Sequence, residues 1–125
     1  MVVFDPIGFV ETPFTSSSAP PRQGVGRSER GTIILDKSYE SGLAGLEPTD
    51  RLEVVWFADR ADRSRLSFDR DESRGVFTTR SQDRPNPICI TETRLIARNG
   101  THLTVDGVDM VDGTPVLDLK PTLRR

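Results

Sequence analysis

The chain has 125 residues, 34% of them hydrophobic and 29% charged, a net charge of -2 and one cysteine. This is the length of one domain with one modest core, and the composition is too apolar for a disordered chain. A lone cysteine excludes an internal disulfide framework and a Cys-rich zinc site, no apolar run reaches the ~20 residues of a membrane span, and the charge excludes a uniformly basic nucleic-acid glove.

In chain order, residues 6–11 read as a first strand, and their acid and proline do not suit a signal peptide. Residues 16–26, SSSAPPRQGVG, read as a loop that is long for an idle connector. A strand is expected at 32–36, followed by a short helix within 39–47, where Tyr39, Leu43 and Leu46 share a face. Gly42 and Gly45 would each cost that helix about 1 kcal/mol against alanine. A strand follows at 51–58, and the mixed-charge run 59–74, five acids against five arginines, reads as a solvated connection. Further strands are expected at 75–79, 88–97, 102–105 and 116–120. Asn99-Gly100 between two of them is a strong short hairpin signal. Many short strands with Gly/Pro turns predict a mainly β fold, a barrel or sandwich with short helical segments.

Familiar catalytic constellations are absent. His102, the one histidine, lies beside the predicted turn, and Cys89 within ICI reads as a small buried side chain. GVGRS at Gly24 has neither the Rossmann nor the P-loop spacing. Two segments carry more. In TRSQDRPNPI, Pro85 and Pro87 fix the backbone on either side of Asn86, so the amide is presented from a preset frame, with Arg80 and Arg84 as donors for a phosphate, carboxylate or carbonyl. In VDGVDMVDGTPVLDLK, Asp106-Gly107 and Asp112-Gly113 mark turns around Asp109. Both segments also read as plain polar turns when taken alone.

Together the segments resemble one family. IGFVETPF, PRQ at Pro21 to Gln23, VVWF, GVFTTRSQDRPNPI and DMVDGTPVLDLKP run in the order found in the TsaA-like proteins, also called TrmO, along nearly the whole chain. The resemblance implies a single compact β-barrel domain over residues 1–125, without the extra C-terminal domain of longer members. It implies a homodimer whose site lies near the subunit interface, while the lone cysteine is simplest to place in a reducing cytoplasm and no membrane association is expected. It further implies S-adenosyl-L-methionine as cofactor and methyl transfer to N6 of threonylcarbamoyladenosine beside the tRNA anticodon, without a metal. Two alternatives stay open: a relative that binds S-adenosylmethionine without transfer, and methylation of another nucleotide or small molecule.

Carried over by position, Pro21, Arg22, Gln23, Arg80, Ile90, Val108, Asp109 and Asp112 would line the cofactor. Asn86, Arg84 and Asp109 would act at the reacting base, and Arg22, Arg27, Arg30 and Arg80 from two subunits would build a basic groove. Departures from the family pattern are Ala58-Asp59 where a histidine and a polar residue are common, SRLSFDRDESR in place of an RPPR-type segment, Cys89 for glycine and Thr122 for tyrosine.

Overall fold

The computed structural model describes residues 1–15, 29–67 and 74–123. Among them six antiparallel strands close a barrel in the order β1-β2-β5-β4-β3-β6. These are β1 (Gly8–Glu11), β2 (Glu29–Leu35), β3 (Arg51–Phe57), β4 (Ile88–Asn99), β5 (His102–Val108) and β6 (Pro115–Pro121). The mainly β barrel expected from sequence is therefore what the chain forms.

Side chains alternate across each strand, so one row faces the core and the next faces out. In β3 the inward row is Leu52, Val54 and Trp56, and in β4 it is Cys89, Thr91, Thr93 and Leu95. Val10, Ile33, Leu103, Val105, Met110 and Val116 complete a core with no accessible surface. Each such aliphatic side chain contributes about 1.5–3 kcal/mol on burial.

Three expectations need correction. Residues 75–79 do not form a strand: Val76–Thr78 is a 3-10 helix. Its tight turn is closed by two hydroxyls, Thr78 Oγ1 donating to Gly75 O at 2.7 Å and Thr79 Oγ1 to Val76 O at 2.9 Å, a local competition that β-forming residue types conceal. The helix expected within 39–47 is also a 3-10 helix, starts earlier at Lys37 and ends at Leu43, with Asp36 Oδ1 accepting from Ser38 N as its cap. The β4–β5 hairpin pairs Asn99 with His102, so its loop is Gly100-Thr101 rather than Asn99-Gly100. Only Gly100 has a positive φ there, 61°, which suits the glycine-first two-residue turn.

The antiparallel order sorts the connections between two ends. Glu29 lies opposite Val108, Phe57 opposite Ile88, and Trp56 opposite Val116. The ends of β1, β3 and β5 and the starts of β2, β4 and β6 therefore share one barrel end. Both distinctive segments found in the sequence join strands at that end.

Candidate active site

The register of β4 with β3 runs from Ile88 to Arg94, whereas its register with β5 begins only at Arg94. The first half of β4 thus extends past β5, and the turn after Val108 lies beside it. Here Thr91 Oγ1 donates to Asp109 Oδ1 at 2.7 Å, joining segments 18 residues apart in the chain. Trp56 Nε1 donates to the same hydroxyl at 3.0 Å. All three residues are buried, Asp109 at 9% exposure. Burial raises the Asp109 carboxyl above the ordinary carboxylate value, and the Thr91 hydroxyl acts against that rise. Cys89, the neighbour of Trp56 across the strand pair, is buried as well, and desolvation pushes its thiol up to about 11. The cysteine at this departure from the family pattern is thus an inert space-filling side chain.

Segment 79–87 is held to the barrel by its own polar groups. Arg84 Nη1 donates to both Thr79 O and Ser81 O at 2.9 Å. Arg80 reaches back to Ile90 O at 3.3 Å with an otherwise exposed side chain. Ala58 N donates to Pro87 O at 2.9 Å and so ties the end of β3 to the proline frame. Asn86 is exposed between Pro85 and Pro87.

Arg63 completes that frame. Its Nε donates to Pro85 O at 2.8 Å, its Nη2 to Asn86 Oδ1 at 3.1 Å, and its guanidinium carbon sits 5.9 Å from the Phe57 ring centroid. An arginine offers donors only, so the Asn86 atom facing it is the carbonyl oxygen and Nδ2 points elsewhere. Asp62 N donates to Asp83 Oδ1 at 2.9 Å, and Asp62 Oδ1 receives Ser64 N and Ser64 Oγ in a tight turn that lowers the Asp62 carboxyl. Residues 62–64, within the run expected to be a solvated connection, therefore dock on the 83–86 wall.

The remaining expected residues divide. Ile90 is outward and 39% exposed. The Val108 side chain is turned into the core against Gly31, where a β-carbon would come within 3.0 Å of it, and the residue as a whole is 1% exposed, so the expected cofactor contact is not presented at the surface. Asp112 Oδ1 accepts from Thr12 N at 3.0 Å and its own N–H donates to Phe14 O at 2.6 Å, pinning the turn to the end of β1. Pro21, Arg22, Gln23 and Arg27 lie outside the described residues. Arg30 is engaged by Asp106, Nε to Oδ1 at 2.9 Å, on the outer face of β2 and β5.

Thr91, Trp56 and Arg63 were not singled out by sequence reasoning. The available signal for Thr91 was a polar residue in the inward row of an alternating strand. Arg63 had none, because its partners lie 22 and 23 residues downstream.

A family model described as the tRNA-methyltransferase O N-terminal domain matches residues 9–125. A protein of Halobacterium salinarum named "Probable S-adenosyl-L-methionine-binding protein" is 52% identical over 121 residues, covering 94% of this chain and 96% of its own. A Mus musculus protein named "tRNA (adenine(37)-N6)-methyltransferase" is 33% identical over 131 residues, covering 94% of this chain and 30% of its own. The crystal structure of TrmO from Pseudomonas aeruginosa superposes with a TM-score of 0.80 at 32% identity, covering 98% of this chain and 56% of that one. The chain thus spans little more than half of that solved chain's length. With the ordered segments, the closed barrel and a family model matched from residue 9 onward, the chain belongs to the tRNA-methyltransferase O N-terminal domain family.

Proposed function

We propose that this protein is an S-adenosylmethionine-dependent methyltransferase, and that its acceptor is N6 of threonylcarbamoyladenosine next to the tRNA anticodon. The observation that carries the reading is the meeting of segments 79–90 and 108–112 at one barrel end, with the buried Asp109 carboxylate bonded to Thr91 beside the RPNP frame. The donor set suits S-adenosylmethionine: a carboxylate for its positive charge, the Arg80 guanidinium for its carboxylate, and the apolar Ile90 surface for its purine. When bound, this cofactor supplies a methyl group already activated on a sulfonium.

The chain's own residues then have little covalent work to do. Alignment of the acceptor and fixed dipoles are the main contributions. Asn86 Nδ2, turned outward by Arg63, donates to a carbonyl of the acceptor's substituent. Arg84 acts from behind, by holding the Thr79–Ser81 backbone in place. Asp109 is the group positioned to take a proton. Pro21, Arg22 and Gln23 belong to the stretch between β1 and β2, whose described flanks, Glu11 and Glu29, both lie at the site end.

We also read the protein as a cytoplasmic homodimer built on this barrel. Support for a partner near the site comes from the outer face of β3 and β4, where Val55 neighbours Ile90 and Phe57 neighbours Ile88, with Ile88 44% exposed and Phe77 77% exposed nearby in the chain. The Arg30 side chain contributes less to a basic groove than its charge suggests, because Asp106 neutralises it. The decisive test is methyl transfer to tRNA with and without threonylcarbamoyladenosine, read by nucleoside mass spectrometry. Transfer confined to the modified tRNA is expected. Cofactor binding by calorimetry without transfer to either tRNA would overturn the enzymatic reading in favour of a binding protein.

A further inference from the structure

The hydrogen bonds around Asp109 have a direction. Trp56 Nε1 is donor-only and points at Thr91 Oγ1, so the threonine oxygen accepts there. The single Thr91 proton is then donated to Asp109 Oδ1, 2.7 Å away. A proton on Oδ1 instead would leave the threonine hydrogen without an acceptor, since no other hydrogen bond of Thr91 Oγ1 exists among the described residues. Asp109 Oδ1 is therefore committed as an acceptor. Oδ2 takes no hydrogen bond from another side chain among the described residues, and the carboxylate is further supported by the Asp109 backbone N–H.

Resting on the methyltransferase reading, we infer that Thr91 is the positioning residue of the reaction, anchored by Trp56 and fixing Asp109 so that Oδ2 is the atom that accepts the substrate's proton. As the acceptor nitrogen forms its bond to the methyl carbon, the carbon–sulfur bond breaks and its electron pair remains on sulfur as a neutral thioether. The nitrogen sheds one proton, and Asp109 Oδ2 takes it, converting the carboxylate to the acid. Thr91 does not touch the reacting atoms. It favours the ionised form against the rise that burial imposes on the carboxyl, and it commits Oδ1 as the bonded oxygen. Among the described residues the Cys89 thiol of β4 interacts with this carboxylate and also with Arg84 and Arg80 of the 79–87 segment, and Asp112 lies three residues on along the same turn.

The chain has one tryptophan, so its fluorescence reports this chain of bonds without substrate or cofactor. A pH titration of the wild type should show a transition from Asp109 and, well above it, a second from Cys89 near 11. Asp109→Asn should lose the first transition and keep the second. Thr91→Val, nearly the same shape, should move the first to higher pH, and Thr91→Ser should restore it. In transfer assays Asp109→Asn should lower kcat by about 100-fold or more, Thr91→Val by roughly tenfold at neutral pH with an upward-shifted acid limb and little change in KM, and Thr91→Ser should recover to within about twofold. Absence of the first transition in the wild type, its persistence in Asp109→Asn, or an unmoved midpoint in Thr91→Val overturns the positioning role. Should Thr91→Val not fold, Thr91→Ala, smaller and equally unable to donate, makes the same comparison of midpoints. A wild type that titrates as expected and transfers no methyl overturns proton acceptance and the methyltransferase reading, while the bond geometry stands.

Discussion

Removing the Arg63 guanidinium should impair transfer through one side chain it does not itself present to the acceptor. Arg63→Ala deletes bonds of 2.8 Å to Pro85 O and 3.1 Å to Asn86 Oδ1 at an exposed site. A net hydrogen bond is worth about 1 kcal/mol, and solvent competition keeps this exposed pair near that value. The stacking on Phe57, at 5.9 Å, adds at most about 0.5–1 kcal/mol to the stability of the connection. If the Asn86 bond is spent on orienting the amide, about 1–1.4 kcal/mol of transition-state stabilisation is lost, which lowers kcat/KM by about five- to tenfold. Asn86→Ala should cost at least as much, because it removes the donor that Arg63 aims. The informative measurement is a double-mutant cycle in kcat/KM with tRNA carrying threonylcarbamoyladenosine. In the Asn86→Ala background, Arg63→Ala should cost less than about twofold, since nothing is left to orient. Full additivity would refute the argument, as would an unchanged kcat/KM in Arg63→Ala alone. Arg63→Lys should recover part of the loss, because an ammonium reaches one acceptor but does not reproduce the planar fork.

Asp109→Asn should stabilise the fold increasingly as pH rises. Burial raises the folded-state value of this carboxyl above its unfolded value, so its favourable contribution is present in acid and is lost as pH passes upward through the folded value. The Tm gap between variant and wild type should widen from acid to neutral pH, and a constant gap would count against the buried carboxylate. Asp112→Ala removes the acceptor for Thr12 N and should lower stability by about 1 kcal/mol, a Tm drop of about 4 °C that Asp112→Asn largely restores. Lost cofactor affinity at unchanged Tm would instead mean direct contact by the Asp112 carboxylate. Cys89, at 7% exposure and with its thiol near 11, should be about one part in a thousand thiolate at pH 8 and react with a disulfide reagent only after denaturation. Rapid modification of the native protein would contradict its burial.

Periodicity made the barrel legible where it was strict. β4 announces itself by alternation from Ile88 onward, and β3 follows its predicted bounds to within a residue. It failed at Gly75–Thr79, where residue types that favour strands find their hydrogen bonds locally, in a 3-10 turn closed by Thr78 and Thr79. The hairpin signal named the right place and missed by one residue, because the loop needs its left-handed glycine first. Within the candidate site, Asn86 and Asp109 stand in short motifs and were visible. Their supports were not: Arg63 and Thr91 act across 23 and 18 residues of chain, and only the closure of the barrel brings those contacts into being. Local sequence carries the groups that face a ligand more readily than the groups that aim them.

The shortest seam of the barrel is β1 against β6, with two residue pairs, Gly8 with Val116 and Phe9 with Pro115. Its two strands are separated by more of the chain than any other pair, so it repays the largest loop closure with the fewest rungs. Such a seam is the natural place for the wall to part first. Asp112 clasps Thr12 immediately beside it, and Asp109 sits three residues away on the same turn. Any slackening of that zipper therefore reaches the buried Asp109 carboxylate before it reaches the far side of the barrel. The seam with the fewest strand pairs is also the doorpost of the candidate site.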